Sequence, residues 1–257
     1  MAEPKTQQLV QQPLTSGAAA YKGLPEAYRR WRASGLGQIT DRLEEHLILE
    51  MAEPVDGLSV LDVGCGDGAL AVAMARGRAL VTALDADPQM LAAARERADG
   101  VSVPLQLVEG RAEALPFGDA AFDLVVAVTV LCFVQQVERA VQEMARVLRP
   151  RGRLVIGELG SRNLWATKRR VSGWLGSRTW RSTTFHTREE LRRLVASGGF
   201  SIDQVSGAIY YPPCGVCAGL VAPVDPWLGR QTTAGAAFLA IAAMKSDRPI
   251  IEHEGSA

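Results

Sequence analysis

The sequence predicts an α/β fold, a doubly wound parallel sheet with helices on both faces. Three observations carry this. Short runs such as Phe122–Val128 are apolar at every second position on both sides, as strands buried from two faces are. Helical patterns separate these runs through the middle of the chain. At the first junction, Val60-Leu61-Asp62-Val63-Gly64-Cys65-Gly66-Asp67-Gly68, an apolar run gives way to alternate glycines and then to a helical pattern from Ala69. Glycine has no Cβ, so such a turn can take positive φ and let a ligand lie against bare backbone.

In chain order, residues 1–20 read as a disordered leader and 21–54 as a helical cap divided at Leu36-Gly37. The second cap helix places Ile39, Leu43, Leu47, Ile48 and Met51 at helical spacing. The main domain, 55–247, begins with strand Ser59–Val63, helix 68–76 and strand 80–84. Helix 88–98 has Asp87 as N-cap and Pro88 in its first position. Strands 105–108 and Phe122–Val128 follow, then helix 136–148, which ends before Pro150, and strand 153–157. The rhythm then changes. Residues 161–184 are basic and hold Trp165, Trp174 and Trp180. Thr187 and Glu190 form a capping box for helix 187–198. A strand at 201–209, an insertion at 212–231 and a final strand at 235–244 precede a flexible polar tail, 248–257. The segments 161–184 and 212–231 are expected to act as lids.

Composition narrows the class. A chain of 257 residues that is 47% hydrophobic can bury a sizeable core in one domain. Its 28 Lys and Arg balance 28 Asp and Glu, so no overall field draws nucleic acid, and none is expected as a partner. The local clusters Arg29-Arg30-Arg32 and Lys168-Arg169-Arg170 read as solvated helix faces, with an anionic substrate or a lipid surface as the alternative. No apolar stretch is long enough to span a membrane, and the N-terminus has no signal-type apolar core, which points to the cytoplasm. Cys65 in the glycine turn and Cys132 in an apolar run fit a reducing compartment. Cys214 and Cys217 have no second pair, so no metal site is predicted.

The turn discriminates among nucleotides. It lacks the Lys of a phosphate loop, and its third glycine comes one residue early for a dinucleotide fingerprint. Asp67 at the helix mouth would repel a diphosphate where a helix N-terminus favours anions. A zwitterionic amino acid joined to a nucleoside suits the turn better. Asp85, ending the second apolar run, is placed to take both hydroxyls of a ribose.

With these residues in view, the turn resembles motif I of the class I S-adenosylmethionine-dependent methyltransferases. Later segments resemble that family in order: Ala83-Leu84-Asp85-Ala86-Asp87-Pro88-Gln89-Met90-Leu91, Gly110-Arg111-Ala112-Glu113-Ala114-Leu115-Pro116-Phe117, Ala121-Phe122-Asp123-Leu124-Val125, and Glu143-Met144-Ala145-Arg146-Val147-Leu148-Arg149-Pro150-Arg151-Gly152-Arg153-Leu154. Arg151 departs from the family, which has glycine there. The group resembled includes the ubiquinone and menaquinone C-methyltransferases. The resemblance implies a Rossmann-like sheet, mostly parallel with an antiparallel last strand, and S-adenosyl-L-methionine as cofactor. It implies that Gly64, Cys65 and Gly66 lie along the methionine part, Asp62 orients its amino group, and Asp85 binds the ribose. Ala86 and Met90 would flank the adenine, Ala112 and Glu113 would hydrogen-bond it, and Ala127 and Val128 would face the methyl group.

The expected activity is in-line transfer of a methyl group to a small-molecule or lipid-like acceptor, with a quinone or aromatic ring in view. The alternative is a non-catalytic module that binds the same cofactor. Tyr28, Trp31, Trp165, Trp174, Tyr210, Tyr211 and Trp227 form an aromatic set that would roof such an acceptor. If a base is used, the candidates are His186, Glu158, Tyr210 and Tyr211. The sequence leaves oligomeric state, acceptor and attacked atom open.

Overall fold

A computed structural model describes residues 30–246. The leader 1–20, the aromatic residue Tyr28 and the tail 248–257 lie outside the described residues. Within them, helix α1 (Gly35–Ala52) leads into β1 (Ser59–Val63), α2 (Ala69–Arg76), β2 (Leu80–Asp85), α3 (Pro88–Asp99), β3 (Gln106–Glu109), β4 (Phe122–Val128), α4 (Val137–Val147) and β5 (Leu148–Leu159). Then come α5 (Leu164–Trp174), α6 (Arg178–Ser182), α7 (Arg188–Ser197), β6 (Phe200–Ala208), α8 (Gly215–Val221), α9 (Asp225–Gln231) and β7 (Phe238–Lys245). The strands form one sheet in the order β3-β2-β1-β4-β5-β7-β6. Pairings among β1 to β5 are parallel, whereas β7 runs antiparallel to both β5 and β6. This is the mostly parallel, doubly wound sheet with an antiparallel last strand that the sequence predicts. No helix among the described residues is long and apolar enough to cross a membrane.

Side-chain alternation along the strands builds a core on each face. Leu61, Val63, Val125, Ala127 and Ile156 pack with Met144 and Leu191 on one side. Val60, Leu124, Val126 and Val155 pack with Ile48, Met74 and Phe238 on the other. Each fully buried Leu, Ile or Met contributes about 1.5–3 kcal/mol of apolar burial.

Several boundaries differ from the sequence reading. The cap breaks at Ser34, not at Leu36-Gly37, because the Ser34 hydroxyl accepts the Gly37 N–H and starts α1 there. Gly37 is needed for contact rather than for a break, since a Cβ would lie 1.9 Å from the Trp31 carbonyl oxygen. The fifth strand extends well beyond 153–157, to Leu148–Leu159, with a register shift near Phe122. Arg153 donates to the carbonyls of Ala52, Glu53 and Pro54 and so ties the C-terminal end of α1 to β5. The 212–231 insertion folds into α8 and α9, which pack on α1 and β6. The Thr187–Glu190 capping box and the Asp87 cap form as expected.

Arg151, the one departure from the family glycine, sits at φ +62°. An L-residue in that left-handed region costs roughly 1 kcal/mol. Arg151→Gly is therefore expected to raise stability by up to about 1 kcal/mol and the melting temperature by roughly 2–4 °C. Thermal denaturation checks this, and an unchanged or lower midpoint would contradict it.

Candidate active site

The site grows from the C-terminal ends of β1, β2 and β4. Gly64, Gly66 and Gly68 all take positive φ, at 70°, 55° and 75°. A Cβ on Gly64 would press to 2.3 Å from Val130 Cγ2, and one on Gly68 to 2.8 Å from Ala94 Cβ. A Cβ on Gly66 would meet nothing within 4 Å. The first and third glycines thus let neighbouring elements close in, while the middle one borders open space. The Gly64 and Cys65 amides donate to the Leu84 carbonyl at 2.7 and 2.9 Å, and Gly66 N–H donates to Asp85 Oδ2 at 2.9 Å. Asp85 Oδ1 takes the Asp87 amide at 2.9 Å. Asp85 thereby joins the two turns, and each of its oxygens keeps a lone pair for a further donor. Burial raises its pKa, against the lowering effect of those amides.

Beneath the turn lies Asp62, only 2% exposed, whose Oδ2 has no partner among the described residues. Burial, with a smaller push from the Asp85 charge, lifts its pKa to about 7. A buried carboxylate oxygen with no donor is costly, and a cation or N–H brought by a ligand would relieve that cost.

These residues line a cavity of about 500 Å³. Asp62, Gly64, Cys65, Gly66, Asp85, Ala86, Met90, Ala112, Glu113 and Val128 all border it. Ala127 does not. Strand alternation turns Val128 to the cavity, while Ala127 faces the core beside Val63 and Val125. The Ala112–Glu113 loop is stapled from α4: Glu143 accepts the Leu115 amide at 2.8 Å, and Arg146 donates to the Leu115 and Phe117 carbonyls at 3.0 and 2.8 Å. Glu113 itself pairs with Arg111 at 3.0 Å.

Asp67 is not the bare charge its position in the sequence suggests. Its carboxylate pairs with Arg32 at 2.8 Å and with Arg97 at 2.5 Å, and Arg32 also reaches Asp41. The helix mouth is therefore bordered by a guanidinium as well as a carboxylate.

The cavity continues beneath a roof made by α1, α5 and α6. Trp31 and Trp165 meet edge to face at 5.6 Å. The Arg169 guanidinium lies over the rings of Trp165 and Trp180, at 5.4 and 5.0 Å. Thr40, Asp41, Glu44 and Ile48 face the cavity from α1. Of the aromatic set expected in the roof, Trp31 and Trp165 line the cavity. Trp174 and Trp227 are 86% and 62% exposed to solvent instead. No described residue of 212–231 borders the cavity; its helices pack on α1 and β6 instead.

None of the four candidate bases borders the cavity. Glu158 is fully buried, and its Oε1 accepts the amides of Val130 and Leu131 at 3.1 and 2.7 Å, so it shapes the corner after β4. His186 is 8% exposed and bridges its backbone to Gly160, with burial lowering its pKa. The Tyr210 hydroxyl donates to the Thr232 carbonyl. Tyr211 packs behind Trp165, with its hydroxyl 3.0 Å from Thr40 Oγ1. Conversely, Arg32 and Arg169, read as solvated faces, and Glu44, not singled out, do border it. The i, i+4, i+8 spacing of Thr40, Glu44 and Ile48 marks a shared helix face. Cys214 is exposed, and no three His, Cys, Asp or Glu side chains converge as a metal ion would need among the described residues.

Residues 61–156 match the family model described as a methyltransferase domain. The chain is 33% identical to a ubiquinone biosynthesis O-methyltransferase of Methylobacterium sp. (strain 4-46), over 63% of this chain and 68% of that protein. It is 30% identical to the protein of the same description from Sinorhizobium medicae, over 69% and 74% of the two chains. Among solved structures, a SAM-dependent methyltransferase of Thermotoga maritima, described as a possible histamine N-methyltransferase, superposes with a TM-score of 0.67 at 21% identity, covering 89% of this chain and 99% of that one. The magnesium protoporphyrin IX methyltransferase of Synechocystis, with bound S-adenosylhomocysteine, gives 0.64 at 18% identity, covering 89% and 97%.

Proposed function

The chain belongs to the class I S-adenosylmethionine-dependent methyltransferases, and from that premise we propose that it methylates a hydroxyl oxygen on a small, largely apolar aromatic acceptor. The observation that carries this reading is one continuous cavity with two chemically distinct halves. Carboxylates and bare glycine backbone border one half, and tryptophans roof the other. The relatives described as O-methyltransferases support oxygen as the attacked atom.

The cofactor supplies a methyl group already activated on a sulfonium sulfur, so the protein's part is alignment and exclusion of water. The donor set fits it. The orphaned Asp62 Oδ2 takes the ammonium, and Arg32 offers its guanidinium to the carboxylate beside the open space over Gly66. Asp85 accepts from both ribose hydroxyls with its remaining lone pairs. Ala86 and Met90 cover the adenine, while the Ala112 amide and the Glu113 carboxylate meet its edge. Val128 stands at the methyl-bearing side. Trp31 and Trp165 hold the acceptor ring and keep water out.

Because Asp62 must be ionised to hold an ammonium, affinity should depend on pH. With its pKa at about 7 in the free protein, S-adenosylhomocysteine is expected to bind more tightly as pH rises from about 6 to about 8, with proton release on binding below neutrality. Calorimetry in buffers of different ionisation enthalpy measures this. Asp62→Asn should bind more weakly and lose the pH step; a step retained in that variant would contradict the assignment.

The proposal itself is tested by incubating the protein with isotopically methyl-labelled cofactor and a panel of phenols, amines and thiols. Mass spectrometry should find labelled methyl ethers. Label on nitrogen, sulfur or ring carbon, or on nothing, would overturn it.

A further inference from the structure

Two charged side chains in the roof stand apart from the residues assigned above to the cofactor. Glu44 faces the cavity from α1, half-buried, and no hydrogen bond or ion pair engages its carboxylate among the described residues. Arg169 faces the same space from α5, its guanidinium clamped over Trp165 and Trp180. Among the described residues no protein acceptor takes its N–H donors. The two charges influence each other across the cavity without forming a salt bridge. Holding a lone carboxylate and a donor-rich cation in a mostly apolar enclosure is costly unless a ligand satisfies both. A ring presenting a hydroxyl to one and an anionic oxygen to the other does so.

Resting on the O-methyl reading above, we propose that Glu44 is the general base for an aromatic hydroxyl and that Arg169 binds a carboxylate on the same ring, so that the acceptor class is hydroxylated aromatic acids. The acceptor oxygen forms the bond to the methyl carbon, and the carbon–sulfur bond breaks with its electron pair left on sulfur. The hydroxyl proton passes to a Glu44 Oε, and the neutral carboxylic acid returns it to water once product leaves. The guanidinium's paired donors match a carboxylate in two parallel hydrogen bonds, and the flanking rings hold it to one orientation. Burial lifts the Glu44 pKa to about 7, which suits a base working near neutrality. The charges around it are Asp41 and Glu45 on its own helix, Arg32 ahead of it, and Lys168 and Arg169 from α5.

The test uses the full chain with 2-, 3- and 4-hydroxybenzoate and with phenol. For a hydroxybenzoate that the wild type methylates, kcat/KM measured with S-adenosylmethionine saturating at every pH should rise between about pH 6 and about pH 8. Glu44→Gln should lower it about 10²–10⁴-fold and remove that rise, while Glu44→Asp retains part of the rate. S-adenosylhomocysteine affinity of Glu44→Gln, by calorimetry, should stay within about twofold of wild type, which shows the site intact. Arg169→Met should weaken hydroxybenzoate binding to the S-adenosylhomocysteine-loaded protein about tenfold or more and leave phenol binding unchanged. Wild type that methylates no hydroxyl at all would overturn the O-methyl reading and this proposal together. Wild type that methylates hydroxyls, with Glu44→Gln equal to it in rate and pH profile, would overturn the base alone. Equal hydroxybenzoate binding by Arg169→Met would overturn the carboxylate anchor.

Discussion

Asp85→Ala is expected to lower affinity for S-adenosylhomocysteine by roughly 100-fold or more. Two charge-assisted hydrogen bonds to the ribose are lost, each worth about 1.5–3 kcal/mol. Loss of the carboxylate also releases the Gly66 and Asp87 amides, which it holds at 2.9 Å each, so the turn that cradles the ligand loosens. Asp85→Asn keeps the shape and one accepting oxygen and should lose about tenfold. Because burial raises the Asp85 pKa, its removal also relieves a desolvated charge, which offsets part of the stability lost with those two amide bonds in the free protein. Calorimetric titration decides the matter: an Asp85→Ala affinity within about threefold of wild type would contradict the ribose assignment.

The second large effect concerns Glu158, which the sequence offers as a base and the structure makes a clamp. Its Oε1 holds the Val130 and Leu131 amides, and Val130 in turn packs against Gly64. Glu158→Ala strands two buried donors and is expected to cost about 2–4 kcal/mol, a fall in melting temperature of roughly 5–15 °C. Glu158→Gln keeps a carbonyl oxygen for both amides and should lose less than about 1 kcal/mol while retaining methyl transfer. A catalytic base would show the opposite, with Gln as inactive as Ala. The pH dependence adds a sign. Burial lifts the folded-state pKa of Glu158 to about 7 from an ordinary 4.5, so the folded state holds the proton more tightly. Its stabilising contribution is full below the unfolded value and is lost as pH rises through about 7. Glu158→Gln should therefore lose less stability than wild type across that interval.

What could be read from the sequence was local. The glycine turn, Asp62, Asp85 and the Ala112–Glu113 pair lie within a few residues of strand ends, and a strand–turn–helix unit fixes their direction almost by itself. The Glu143 and Arg146 motif was legible too, and the structure gives it work: it holds the Ala112–Glu113 loop in place. Of the pair Ala127 and Val128, only Val128 faces the cavity, because strand alternation reverses a side chain at each step and the sequence marks no phase in a run apolar on both faces. The roof was illegible for a different reason. Whether Arg32, Glu44 or Arg169 faces solvent or the cavity depends on how α1 and α5 lie over the sheet, and that is set by distant contacts such as Arg153 on the end of α1. Aromatic residues gave no better guide, since Trp165 lines the cavity and Trp174, on the same helix, is exposed.

The central claim is that one cavity holds the cofactor by Asp62 and Asp85 beneath a tryptophan roof. A crystal structure with S-adenosylhomocysteine bound tests it most directly. The account predicts the ligand's ammonium within about 3 Å of Asp62 Oδ2, both ribose hydroxyls on Asp85, and the sulfur facing the space under Trp31 and Trp165. A ligand whose ribose hydroxyls lie away from Asp85, or whose sulfur points away from that space, would contradict it.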